Sequence, residues 1–124
     1  AAANEAFNVV NGDIFRWSWM WRRIAGAFGI EAVPFDGIVR PLVQQMADDA
    51  PIWREIAARH HLAEPDIHRL ISPWHTDADL GRPIEVVTDM SKSRRLGFNL
   101  FQPTDDAFFA LFQRLRGDRL IPQA

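Results

Sequence analysis

The 124 residues contain no tyrosine and no cysteine, and Lys92 is the only lysine. Without cysteine there are no disulfides and no thiolate metal sites. Many hydride-transfer enzymes rely on a Tyr/Lys pair, so this chain does not carry that chemistry by itself. Its seven glycines are scattered, with neither Gly-x-Gly-x-x-Gly nor Walker spacing, which excludes a dinucleotide-binding half and a phosphate loop. No run approaches about twenty apolar residues, so nothing in the sequence spans a membrane. A net charge of −2 offers no footprint for nucleic acid or an anionic membrane. Ala1-Ala2-Ala3 follows no charged start and apolar core, so it does not read as a secretion signal. With the absent cysteines, this gives a cytoplasmic expectation.

What is present is bulk. Hydrophobic residues make up 48% and charged residues 24%, ordinary values for a folded domain of this length. Five tryptophans and nine phenylalanines need a thick core, a pocket or a partner surface to cover them. The thirteen arginines that accompany the one lysine carry no comparable signal.

Ala6-Phe7-Asn8-Val9-Val10 predicts a strand that stops at the Asn11-Gly12-Asp13 turn. A helix is expected from Trp17 to Phe28, capped by Ser18 or Asp13 and stopped by Gly29, with Trp17, Trp21, Ile24 and Phe28 as its buried stripe. Glu31–Phe35 is weakly strand-like, and Pro41–Met46 suits a short helix opened by proline. Asp48-Asp49-Ala50-Pro51 restarts a helix that runs to about His60. Helical turns are expected at Pro65–Leu70, Pro73–Leu80 and Lys92–Leu96, and a strand at Ile84–Val87. The clearest element is the last helix, capped by Thr104, with Asp105 and Asp106 in its first turn and Phe108, Phe109, Leu111, Phe112 and Leu115 as its stripe. The fold class is therefore mostly α with a few short strands (α+β), in one domain over residues 1–124. The N-terminal strand needs a sheet that the chain does not obviously supply.

Candidates for chemistry are few. His60, His61, His68 and His75 show no spacing that places two ligands on one helical face, so no metal site is assigned. Asp77 and Asp79 would point in different directions on a helix, and Asp105 and Asp106 are explained by the helix dipole. Ser18 and Ser72 read as helix caps and lack the setting of a nucleophile. Lys92-Ser93-Arg94-Arg95 reads as a solvated turn. Ser72-Pro73-Trp74-His75-Thr76-Asp77 combines an indole, an imidazole and a hydroxyl in a proline-bent stretch, the mixture that lines small-molecule pockets. A core tryptophan beside a helix cap is the alternative reading of the same residues.

Taken in order, the blocks Asn4–Asp13, Phe15-Arg16-Trp17 through Trp21, Phe28-Gly29, Pro51–Ile56, Trp74–Leu80, Asp89–Phe98 and Asp106–Pro122 resemble the C-terminal part of the progesterone 5β-reductase/iridoid synthase-like family. These are extended short-chain dehydrogenase/reductases, within the NAD-dependent epimerase/dehydratase superfamily. The resemblance implies a substrate-binding lobe seen without its N-terminal Rossmann half, whose sheet Phe7–Val10 would join. It further implies NADP(H) or NAD(H) for the full-length parent, none bound by this chain, and no catalytic residue here, Lys92 included. The implied substrate is a small apolar or enone-type molecule with a C=C or carbonyl to reduce, and Trp74, His75 and Thr76 are its implied contacts. His75 stands where the plant enzymes carry a second bulky aromatic. Two alternatives remain: a stand-alone, non-enzymatic ligand- or partner-binding module, and the C-terminal lobe of a sugar-nucleotide epimerase/dehydratase. The chain alone is expected to be inactive and to form a homo-oligomer through Phe7–Val10 or the Trp17–Trp21 face.

Overall fold

A computed structural model describes residues 3–123; Ala1 and Ala2 of the triple-alanine start, and Ala124, lie outside the described residues. Every regular element among them is helical: α1 (Trp17–Ala27), α2 (Leu42–Gln45), α3 (Ala50–His60), a 3₁₀ turn (Ile67–Arg69), α4 (Pro73–Leu80), α5 (Ser91–Arg95) and α6 (Thr104–Gly117). The expected short strands at Ala6–Val10, Glu31–Phe35 and Ile84–Val87 are not strands. A strand exists only where a neighbour completes its ladder, and these stretches have none. Val33 is 87% exposed, and Val9 and Val86 are exposed as well.

Helix ends explain much of the chain path. After α1 the Ile30 amide donates to the Ala25 carbonyl and the Gly29 amide to Gly26, with Gly29 at φ +67°. This paired bond is the left-handed stop that glycine permits without strain. α3 and α6 end with the same bonds, Leu62 to Ala57 and Leu120 to Leu115. There the left-handed positions fall to His61 and Arg119, at φ +53° and +56°. The Ala63 amide then donates to the Arg119 carbonyl at 2.8 Å, docking these two ends on each other.

α1 packs on α6 through aromatic rings. Trp17 meets Phe108 edge-on at 6.2 Å between centroids, and Phe28 meets Phe112 at 5.0 Å. The Arg23 guanidinium lies over Trp19 and Phe109 and pairs with Asp105 at 2.8 Å. Arg116 is buried beneath Phe28 and donates to the Ala27 carbonyl at 2.9 Å, satisfying the C-terminal end of α1. The expected stripe does face α6, but Trp17, Trp21 and Phe28 remain about 40% exposed, and the side chains that α1 fully buries are Met20 and Ala25.

The N-terminal arm is held by side chains where a sheet was expected. Lys92 Nζ donates to Glu5 Oε2 at 2.7 Å and to the Ala6 carbonyl at 2.9 Å, over the Phe7 ring. Buried Ser93 donates to the Asn8 carbonyl, and the Asn8 amide side chain to that of Asp89. The three charged residues of the basic cluster are exposed, as a solvated turn requires, but the segment is helical and Lys92 and Ser93 also staple the arm. Further along, the Asp13 carboxylate accepts the Thr104 amide at 2.7 Å and the Thr104 hydroxyl at 2.6 Å. Asn11 Nδ2 also donates to Thr104 Oγ1, and the Gln102 amide to the Asn11 carbonyl. Asp13 therefore caps α6 instead of α1, and neither Ser18 nor Thr104 caps its own helix through its side chain.

Little is buried in total. The chain exposes 9833 Å², whereas a compact globule of its 14.2 kDa exposes roughly 6,800 Å². Only Met20, Ala25, Ala57 and Met90 form the buried apolar set among the described residues.

The Asp13 cap gives a quantitative expectation. Burial alone would raise this carboxyl, but the Thr104 hydroxyl and amide donate to its ionised form and hold it below the usual carboxylate value. Asp13→Ala should cost about 1–2 kcal/mol at neutral pH, measured by urea unfolding. The folded value is depressed, so the difference is complete above the unfolded value of about pH 4 and fades as pH falls through the folded one. A gap that persists unchanged to about pH 2 would contradict the assignment.

Candidate functional site

Proline at its first position opens α4, with Ser72 just before it. His75 Nδ1 lies 2.5 Å from Ser72 Oγ, and the Thr76 hydroxyl donates to the Ser72 carbonyl at 3.3 Å. The Trp74 indole stands edge-on to the His75 imidazole, 4.7 Å between centroids and 79° between planes. Trp74 is 64% exposed. Trp74, His75 and Thr76 are thus brought together on the first turn of one helix, two rings facing solvent and one hydroxyl turned back on the backbone. The alternative in which Trp74 is a core residue does not describe this surface position.

Asp77 fixes that turn in place. Its two carboxylate oxygens accept the Leu42 amide at 2.8 Å and the Val43 amide at 3.0 Å. A carboxylate on α4 therefore caps α2, and the two helices pack together. Four residues make an unstable helix alone, so α2 owes its existence to this anion at its positive end.

The far end of α4 borders a cleft of about 1270 Å³. One wall is Val10, Ile14 and Trp17; the other is Leu80, Ile84 and Val86, and Arg16 on one side pairs with Glu85 on the other. Trp74 and its neighbours do not line it. Trp74 precedes Asp79, the first residue of α4 on the cleft, by five positions, about 7.5 Å by helical rise. Sequence reasoning missed this cleft because its walls come from irregular segments without periodicity. The apolar residues of 84–87 were its one visible signal.

The glycines with positive φ, at 12, 29, 37 and 97, lie in four separate turns and build no diphosphate cradle. Among the described residues no group of three or more acidic, histidine or cysteine side chains converges on a point. No helix among them is long and apolar enough to cross a membrane.

Comparison with known proteins finds relatives along nearly the whole chain. An (S)-8-oxocitronellyl enol synthase from Camptotheca acuminata is 32% identical over 123 residues, and one from Antirrhinum majus is 33% identical over 122. A 3-oxo-Delta(4,5)-steroid 5-beta-reductase from Arabidopsis thaliana is 32% identical over 123 residues. Each match covers 98% of this chain and 31% of the relative. These matches bear out the resemblance to progesterone 5β-reductase/iridoid synthase-like proteins along nearly the whole chain, which spans about a third of their length. No family model matches the chain.

The Asp77 bridge is testable by amide exchange. Asp77→Ala should speed exchange at Leu42 and Val43 by about tenfold or more while leaving the amides of α6 unchanged. Equal protection in both proteins would show that α2 stands without the carboxylate.

Proposed function

We propose that this chain is the C-terminal, substrate-binding part of an NAD(P)H-dependent reductase that acts on the C=C bond of enones or on a carbonyl. The observation that carries the reading is the match over 98% of the chain to 31% of relatives that include a steroid 5-beta-reductase. Hydride and proton delivery belong to the rest of that protein, since this chain has no tyrosine. The surplus of exposed surface supports the same reading, because the irregular apolar segments Phe7–Val10 and Ile84–Val87 lack the neighbours that a sheet would give them. In this reading Trp74, His75 and Thr76 meet the substrate and Asp77 positions them.

The reaction assay uses the full-length product of the gene encoding this chain, with NADPH and a panel of enones. Cofactor oxidation with an enone is expected, and Trp74→Ala should raise KM about tenfold with little change in kcat. The 124-residue chain alone should oxidise none. Turnover of a sugar nucleotide with no enone accepted would move the parent to the epimerase/dehydratase branch. Parameters unmoved by Trp74→Ala would remove that residue from the site.

On its own the chain should self-associate through its uncovered apolar faces. Sedimentation velocity is the measure, and a monomer at high concentration would refute the expectation.

A further inference from the structure

Of the four asparagines in the chain, Asn11 alone precedes a glycine. Asparagine is among the thermally labile residues, because the amide nitrogen that follows it can attack its side chain. Glycine gives that nitrogen the least steric cover. Both members of the pair are demanded by the fold. Gly12 sits at φ +96°, and a Cβ there would come within 3.2 Å of the Phe101 ring, so the position is strained and crowded for any side chain. Asn11 Nδ2 donates to Thr104 Oγ1 at 3.1 Å, and the Asn11 carbonyl accepts the Gln102 amide at 3.0 Å. The Thr104 hydroxyl has one proton, which goes to Asp13 Oδ1 at 2.6 Å, so its oxygen is left to accept. Asn11 supplies the donor it accepts from. An ionised aspartate at the same position has none. Among the described residues the Gly12 amide makes no backbone hydrogen bond. Arg94 Nη2 lies 3.6 Å from the Cβ position at Gly12, a cation close to the amide that must ionise.

We propose that Asn11–Gly12 is a site of spontaneous deamidation, gated by the Thr104 contact, whose product unlatches residues 11–13 from the start of α6. In the reaction the deprotonated Gly12 nitrogen attacks Asn11 Cγ. A C–N bond forms, the Cγ–Nδ2 bond breaks, and the proton lost by Gly12 is matched by one that Nδ2 takes as it leaves as ammonia. Water then opens the resulting five-membered imide at either carbonyl, leaving aspartate or isoaspartate at position 11. Water enters, ammonia leaves, and nothing is oxidised or reduced. While Asn11 is tied through both its side chain and its carbonyl, the side chain does not turn freely onto the Gly12 nitrogen. Attack therefore proceeds from the fraction of molecules in which the tie is open. The product does not close it again. A carboxylate at position 11 has no proton for Thr104 Oγ1, and it faces the Asp13 carboxylate across the same hydroxyl. Isoaspartate also lengthens the main chain by one carbon and displaces the carbonyl that receives Gln102. The rest of the arm stays stapled by Lys92 and Ser93, so the change is confined to the latch.

The test is incubation of the protein in mildly alkaline buffer, followed by peptide mapping with detection of isoaspartate. Asn8 and Asn99, which precede valine and leucine, are the internal comparators. Asn11 should convert while both comparators persist. Thr104→Val should speed the conversion about tenfold, and Thr104→Ser, which keeps the hydroxyl, should leave it unchanged. Incubation of the unsubstituted chain in urea gives the ungated rate without any substitution. Equal rates in buffer and in urea overturn the gating, even where Thr104→Val fails to fold. An Asn11 that survives in urea as long as Asn8 and Asn99 overturns the site itself. The consequence is read separately in Asn11→Asp, which stands for the product. Amide exchange at Thr104 should be about tenfold faster there at neutral pH, with the amides of α3 unchanged. A Thr104 amide equally protected in both proteins overturns the unlatching.

Discussion

The carboxylate of Asp13 is the tie on which the described structure depends. It receives an amide and a hydroxyl from Thr104 and so fixes the start of α6, the longest helix, against the N-terminal arm. α6 then positions α1 through Phe108, Phe112 and Arg116. With four buried apolar residues there is no large core to do this work. Hydrogen bonds to a charged group, each stronger than a neutral one, take over part of the ordering. Exposed ion pairs such as Arg59–Glu55 and Arg82–Asp79 add little beside them.

The same device recurs at the candidate site. Asp77 gives α2 its N-terminal anion just as Asp13 gives α6 its own. In both cases the helix being capped lies far along the chain from the acid that caps it. The turn carrying Trp74 and His75 is consequently held from two sides, by proline at its start and by the α2 contact through Asp77. The two exposed rings are thereby kept in a fixed relation to the rest of the lobe.

Helices were legible in the sequence wherever the signal was local. Pro73 opens α4, Gly29 closes α1, and the acids and phenylalanines of residues 105–112 mark α6. The three expected strands are absent, because alternation and β-branching describe a surface that fits a sheet, not the presence of one. Caps supplied from a distance were equally hidden: Thr104 looked like its own cap, while the oxygen that serves it belongs to Asp13, 91 positions earlier. His75 was singled out for its chemistry, yet its hydrogen bond to Ser72 required atomic positions. The family resemblance was readable because ordered blocks persist along the whole chain even where each is weak.

Order in this chain runs backwards relative to its synthesis. Asn8 emerges from the ribosome 81 residues before Asp89, whose carbonyl receives its side chain, and Asp13 emerges 91 residues before Thr104. Closing so long a loop costs only slightly more than closing one half as long, so the delay carries little thermodynamic weight. Its weight is kinetic, since contacts so distant in sequence form slowly. The nascent N-terminal arm, with Phe7, Val9 and Val10, stays unlatched until nearly the last helix is made, and that interval is when its apolar residues are open to other chains.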